Sequence, residues 1–450
     1  MRLQILTIAR NTFVESIRQP VVFALVMACG LLVLLSTWST GFAMGYTDTS
    51  EVSGDDKLLL DIGLATVFVC GMLLSAFIAT AAVSREIENK TVLTVVSKPV
   101  SRPAVVVGKY LGVAGAIVLA LVPMLLFLLI GIRHGVMSTA ADDLDQPVFL
   151  FLGLAVGGAL LIAAWTNFFY GSYFSQTFLV VLAPALLVAY LLLLVIGKKW
   201  HLQPPMAGFK PQITIACGAL TMAVLVLTAV AVAVSTRLGQ VMTIVVCAGV
   251  FVFGLLSNHF LGRHAFENRP LGIVLGVTLK ETLDSDLSPG QTLTVTLRNE
   301  PKQTVRPGDP FYWGPSPSGY PMSVSAYPRF TGDAASSADA LGSGTPPGMV
   351  ITSARGRTLE VRRVGTGELR ASRGPAAGDY MFVEPTRINP LALAAWAVVP
   401  NMHYFWLVDA ITQNQYIPPG HMGLVAAYAL AQIIGFVCLG VVLFQTRDVG

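Results

Sequence analysis

Charge is the scarcest feature of this chain. Asp, Glu, Lys and Arg make up 12% of its 450 residues, against 54% apolar ones, and the mean hydropathy is +0.68. A soluble domain is about a quarter charged. Half that share at this hydropathy excludes an ordinary water-soluble protein and predicts a polytopic α-helical membrane protein. The net charge of +4 is too small to argue for nucleic acid as a partner. Cysteine is also sparse. Cys29, Cys70, Cys217, Cys247 and Cys438 all fall inside apolar runs, and the polar stretch after Arg263 has none. They read as small apolar residues, neither a disulfide framework nor a metal knuckle.

Motifs for catalysis are missing too. Gly108-Lys109-Tyr110 and Gly197-Lys198-Lys199 lack the glycine spacing and the hydroxyl of a phosphate-cradling loop, so ATP cannot be held by that route. There is no H-E-x-x-H and no E-x-x-H. The chain is therefore not read as an enzyme, and no cofactor is expected. His134, His201, His259, His264, His403 and His421, with Met206, Met402 and Met422 near three of them, would suit a soft metal such as copper. They form no tight ligand pattern, and no metal site is assigned. The apolar runs contain essentially no ionisable residue in their cores. Ion-coupled transporters usually keep such groups there as relays, so a self-sufficient pump is disfavoured.

What is present is a series of apolar runs near the 20 or so residues a span needs: 21–40, 62–84, 106–132, 149–168, 176–197, 213–235, 240–261 and 422–445. The turns around Tyr170 to Gln176 and Ser235 to Gln240 are short enough to make helical hairpins. Residues 2–18 place Leu6, Ala9, Phe13 and Ile17 at helical spacing among Arg2, Arg10 and Arg18, which suits an interfacial helix. Val21 to Trp38 is too long, and lacks the small-residue cleavage site, for a signal peptide. With the N-terminus inside, the inner pieces hold Arg2, Arg10, Arg18, Arg85, Lys90, Lys98, Arg102, Lys109, Arg237 and Arg447. The short outer loops hold Lys57, Arg133, Lys198, Lys199 and Lys210. Ten basic residues against five supports this orientation. Lys198, Lys199 and Lys210 stand on the side the rule disfavours, and a re-entrant neighbour would change the count to six or seven spans. The first two outer loops are acidic (Asp48, Glu51, Asp55, Asp56 and Asp61, then Asp142, Asp143 and Asp145), and Trp38, Trp165, Trp200, Trp396 and Trp406 lie near predicted membrane boundaries.

The expected organisation follows. Residues 1–19 form a cytoplasmic interfacial helix. Residues 20–262 hold spans joined by a cytoplasmic loop, 84–105. Residues 263–390 form an extracytoplasmic β-rich domain inserted before the last helix. There Thr292 to Leu297 and Thr358 to Arg362 alternate as strands, with Ile273 to Leu279 and Tyr380 to Glu384 as further candidates. A sandwich is expected, with a loop over Ala334 to Gly348. Residues 391–420, interrupted by Pro400, Asn401, His403, Asp409 and Asn414, form an outer interfacial or re-entrant segment. Residues 421–450 are the last span and a short tail.

The loop is the most informative stretch. Arg85, Glu86, Glu88, Lys90, Lys98 and Arg102 are ionised, and each would cost about 2.5–3.5 kcal/mol at the bilayer centre. Yet Ile87, Val92, Leu93, Val95 and Val96 are apolar, which a merely solvated connector does not need. Ser84 to Ser97 can form about three helical turns ended by Lys98-Pro99. Such an element can insert into a groove on a cytoplasmic partner.

Arg85-Glu86-x-Glu88-x-x-Thr91-Val92-x-x-Val95-Val96-Ser97-x-Pro99-Val100-Ser101-Arg102, followed by Gly108-Lys109, resembles the first cytoplasmic loop of ATP-binding-cassette (ABC) transporter permeases of the type-two, exporter-like class. Ala9-Arg10-x-Thr12-Phe13-x-Glu15-x-Ile17-Arg18 resembles their elbow helix, Ser235-Thr236-Arg237 their tight inner turn, and Val399-Pro400-Asn401 through Arg447-Asp448 their ending. Lys90 stands where a glycine is usual and Thr94 where an acidic residue is common. The resemblance implies a permease subunit in the inner (plasma) membrane, dimeric with a second copy or a relative. It implies separate ABC ATPase subunits as partners, export as the direction, and Arg85, Glu86, Glu88, Thr91, Ser97, Pro99 and Arg102 as the ATPase-coupling residues. The usual six spans would then be joined by an additional hairpin over 149–197. The alternative is a non-transporting membrane scaffold whose outer β domain binds an envelope partner.

Overall fold

A backbone in hydrocarbon has no water to pair with, so apolar runs of spanning length must satisfy their own N–H and C=O groups as helices. The computed structural model describes residues 2–39, 54–88, 101–135, 145–279, 288–301, 303–317, 322–330, 332–333, 336–342, 344–369, 371, 373–412 and 417–445. Two compact units result: Met1–Phe253 together with Met402–Gly450, and Gly254–Asn401. Among the described residues eight helices are long and apolar enough to cross a membrane.

The first unit begins with α1 (Arg2–Ile17), then α2 (Pro20–Ser39), α3 (Gly54–Glu88), α4 (Arg102–His134), α5 (Gln146–Tyr170), α6 (Phe174–Val195), α7 (Pro211–Ser235) and α8 (Gln240–Ser257), and ends with α10 (Pro419–Gln445). The runs on either side of Lys198 to Lys210 are both full-length helices, so neither is re-entrant. The turn around Tyr170 to Gln176 makes a helical hairpin as expected, with α5 and α6 packed on each other; the turn over Ser235 to Gln240 is equally short, but α7 and α8 are not a packed pair. α3 has 35 residues. At 1.5 Å per residue it rises about 50 Å, more than the roughly 30 Å of hydrocarbon, so it extends beyond the bilayer. The organising element is α4, which packs against α1, α2, α3, α6, α7 and α10. Between α3 and α7, the Ser75 and Thr228 hydroxyls meet at 2.9 Å inside the bundle, the kind of polar contact that joins helices in lipid.

The second unit carries strands β1 (Phe266–Glu267), β2 (Gly272–Leu279), β3 (Thr292–Leu297), β4 (Tyr312–Gly314), β5 (Gly348–Arg355), β6 (Thr358–Val364), β7 (Tyr380–Phe382) and β8 (Arg387–Ile388). All four expected strands are present. The sandwich is not. Six strands form one antiparallel sheet in the order β4-β7-β2-β3-β6-β5, and its two edges meet. Pro310 bridges Val350; Phe311 N–H donates to Met349 O at 2.9 Å and Ile351 N–H to Asp309 O at 2.9 Å. The sheet closes into a small barrel, which removes exposed edges. The interior of a barrel this size is filled by side chains, here Phe311, Trp313, Phe382, Met349, Val295 and Leu359 among others. The closing strand was illegible because Phe311-Tyr312-Trp313 is short and lies among prolines and glycines. Part of the expected loop over 334–348 is a short helix, Ser337–Ala340. β1 pairs with β8 in a separate ladder, and α9 (Pro390–Val398) follows, its start capped by the Asn389 side chain.

Candidate functional site

The end of the first unit where α3 stops and α4 starts is the candidate site. It assembles because glycines let α1 lie directly on α4. A Cβ on Gly112 would stand 2.5 Å from Ala9 O and 2.6 Å from the Thr12 Cβ, and one on Gly108 would stand 2.8 Å from the Ile8 side chain. The spacing Gly108-x-x-x-Gly112 is the small-residue pattern that brings helix backbones into contact. Thr12, Ser16 and Ile17 are buried in consequence. The elbow helix is thus a bound element of the helical core.

One residue after Gly108, Lys109 is buried at 7% exposure. Its ammonium donates to the Ala82 carbonyl on α3. Val83, Val106, Val232 and Phe444 surround the same space, so α3, α4, α7 and α10 converge on the Lys109 stem. A charged head on an apolar stem is tolerated there because it finds a backbone acceptor. α10 comes close to α7 at Gly440, where an added Cβ would meet the Ala233 Cα at 3.1 Å.

The loop residues fall as follows. Arg85, Glu86 and Glu88 are on the last turns of α3, which continues unbroken past Ser84; they are placed by backbone alone. Thr91, Ser97 and Pro99 lie outside the described residues, as does most of the three-turn helix expected over 84–97. Arg102 opens α4, and its Nη1 donates to Gln445 O at 2.8 Å. Arg237, in the α7–α8 turn, donates through Nε to Leu443 O at 3.0 Å. The last carbonyls of a helix lack intrahelical partners, and a cation there also complements the helix dipole, for about 0.3–1 kcal/mol each. Two arginines from separate turns therefore cap the end of α10.

Two contributors were missed by reading the chain locally. Arg18 Nε donates to Gln176 Oε1 at 2.9 Å, and its guanidinium lies 4.4 Å from the Tyr173 ring centroid. The brace ties the end of α1 to the α5–α6 hairpin. Gly112 was the other, and its signal was available in the four-residue spacing from Gly108.

Residues 6–166 match the family model described as ABC-2 family transporter protein. The match takes in the elbow helix, the loop and α4, and it stops inside α5. No curated protein and no solved structure matches the chain.

Proposed function

From the match of residues 6–166 to the ABC-2 family model, we propose that this chain is an ABC-2 type permease, the membrane subunit of an ABC transporter, and that it exports a substrate with energy drawn from a separate ATPase subunit. The observation that carries the proposal is the position of α4. It begins where the charged loop ends, and it packs against six other helices. A push on the loop by a cytoplasmic partner reaches the bundle through one rigid element. Arg102 carries the same displacement to the end of α10.

In this reading Arg85, Glu86, Glu88, Thr91, Ser97 and Pro99 form the contact with the ATPase, and the carboxylates pair with its basic groups. ATP-driven closure of two ATPase subunits moves the loop, and the spans rearrange. The permease acts as a dimer with a second copy or a relative, in the inner membrane. The β barrel lies on the outer side, which the parity of eight spans supports. α9 rests at the outer bilayer surface. All its residues are unburied, with Leu391 82% and Val398 71% exposed, as suits a short apolar helix whose other face is lipid.

The test is co-purification from detergent of the wild-type chain and a Glu86→Ala/Glu88→Ala variant, with ATP hydrolysis assayed in both eluates. Wild type is expected to bring down an ATPase, and the variant to lose it or to lose stimulation. An ATPase absent from both samples, or unaffected by the double substitution, overturns the coupling role and returns attention to the scaffold alternative.

A further inference from the structure

Two of the three lysines that break the positive-inside pattern, Lys198 and Lys210, converge on a single pocket. After α6 the chain turns back in a small hairpin in which Ile196 bridges Leu202, with Gly197 N–H donating to His201 O at 2.8 Å. Trp200 sits near its apex at φ 59, a backbone state uncommon for a non-glycine residue. The hairpin places Lys198 over the end of α4, where its ammonium donates to His134 O at 3.2 Å. Lys210 arrives from the start of α7. Arg133 projects from the last turn of α4 and is tied to Ile196 O at 3.3 Å and to the buried Asp145 carboxylate at 3.1 Å. These three cations line a cavity of about 240 Å³ whose apolar lining includes Leu129, Ile132 and Ile213.

Orientation does not require this arrangement, since short translocated loops normally avoid Lys and Arg. Packing does not require it either, because like charges gathered in one concavity repel. Asp145 is tied into the cluster through Arg133. The volume is slightly below that of typical small-molecule sites, about 300–1,000 Å³. It suits a headgroup and its first carbons, with any longer tail left outside along the bundle.

We propose that this pocket binds a phosphate or carboxylate group, and that the group is the head of an anionic amphiphile held at the bilayer surface. Arg133, fixed by Asp145, orients the anion. Lys198 and Lys210 supply further charge at the mouth, and the apolar lining takes the adjoining carbons. Basic pockets between spanning helices are known to take anionic lipid heads. This site differs in lying at the end of the bundle opposite the loop. The inference does not rest on transport and stands on the pocket alone.

The test uses the full chain in nanodiscs of phosphatidylcholine, with and without phosphatidylglycerol. Retained lipid is counted by native mass spectrometry, and the melting temperature is measured. The variants are Lys198→Gln/Lys210→Gln and the conservative Lys198→Arg/Lys210→Arg, with Arg10→Gln as a basic-residue control at the other end. Wild type is expected to retain phosphatidylglycerol and to melt higher with it. The glutamine variant should bind roughly 30-fold more weakly, at about fivefold per lysine, while the arginine and Arg10 variants behave as wild type. A separate arm adds inorganic phosphate to phosphatidylcholine discs. A shift with phosphate alone that the glutamine variant abolishes supports the anion site but assigns it to a soluble ligand. Equal lipid retention by wild type and the glutamine variant, with no phosphate response, overturns the proposal.

Discussion

Gly112 and Gly153 are both glycines in spanning helices, yet they do opposite things. On Gly112 a side chain would press on the α1 backbone; around Gly153, among the described residues, nothing lies within 4 Å of where a Cβ would stand. Overpacking costs about 1–3 kcal/mol. Gly112→Ala is therefore expected to lower the melting temperature in detergent and Gly153→Ala to leave it unchanged; equal melting would sink the account of how α1 is held. In the barrel, Tyr327 makes a comparable single-residue contribution. Its hydroxyl reaches Phe311 O at 2.5 Å and Met349 O at 2.9 Å, the two residues that pair at the closing seam. Burial pushes its phenol well above the ordinary value of 10.0. The sign follows: with the folded value raised, stability is intact below about pH 10 and drains away as pH rises beyond it. Tyr327→Phe should cost about 1–3 kcal/mol at neutral pH through the unsatisfied carbonyls, and should flatten the alkaline loss. Hydrogen exchange of residues 349–351 against pH reads both effects.

At the scale of elements, the end of α10 is a junction. Arg102 arrives from the charged loop and Arg237 from the α7–α8 turn, and each occupies a terminal carbonyl of the same helix. Removing both should fray its final turn, with amide exchange over 440–445 speeding up roughly 3- to 30-fold while exchange in α7 stays constant. A uniform acceleration across the bundle would instead mean that the arginines support the fold as a whole. The Arg18 brace has the same character: one side chain couples the elbow helix to a hairpin more than 150 residues away in sequence.

For the whole molecule, the orientation of the spans decides what the barrel can meet. Glu15 and Arg357 are both exposed, and seven of the eight candidate spans, an odd number, lie between them. With all five free cysteines replaced by serine, Arg357→Cys should react with a membrane-impermeant maleimide in intact cells. Glu15→Cys should react only after permeabilisation. The reverse pattern would invert the topology, and labelling of both without permeabilisation would mean that an even number of spans, fewer than seven, lies between them.

Local chemistry decided a large part of this protein. Partition into lipid depends on the residues of one segment, so eight candidate spans and the two short turns between them could be read directly from apolar run length. Strand alternation is local too, and β2, β3, β6 and β7 were legible for that reason. Glu86 and Glu88 stood out because charge beside a span is costly. What the tertiary structure decided is which segments meet. Closure of the barrel joins Phe311 to Met349, the cap on α10 joins Arg102 to Gln445, and the pocket at the far end of α4 joins Arg133, Lys198 and Lys210. Each contact links residues far apart in the chain, and its energy exists only once the intervening segments are placed. No run, period or spacing in one stretch encodes such a meeting, so cations that look misplaced in sequence become a site only in three dimensions.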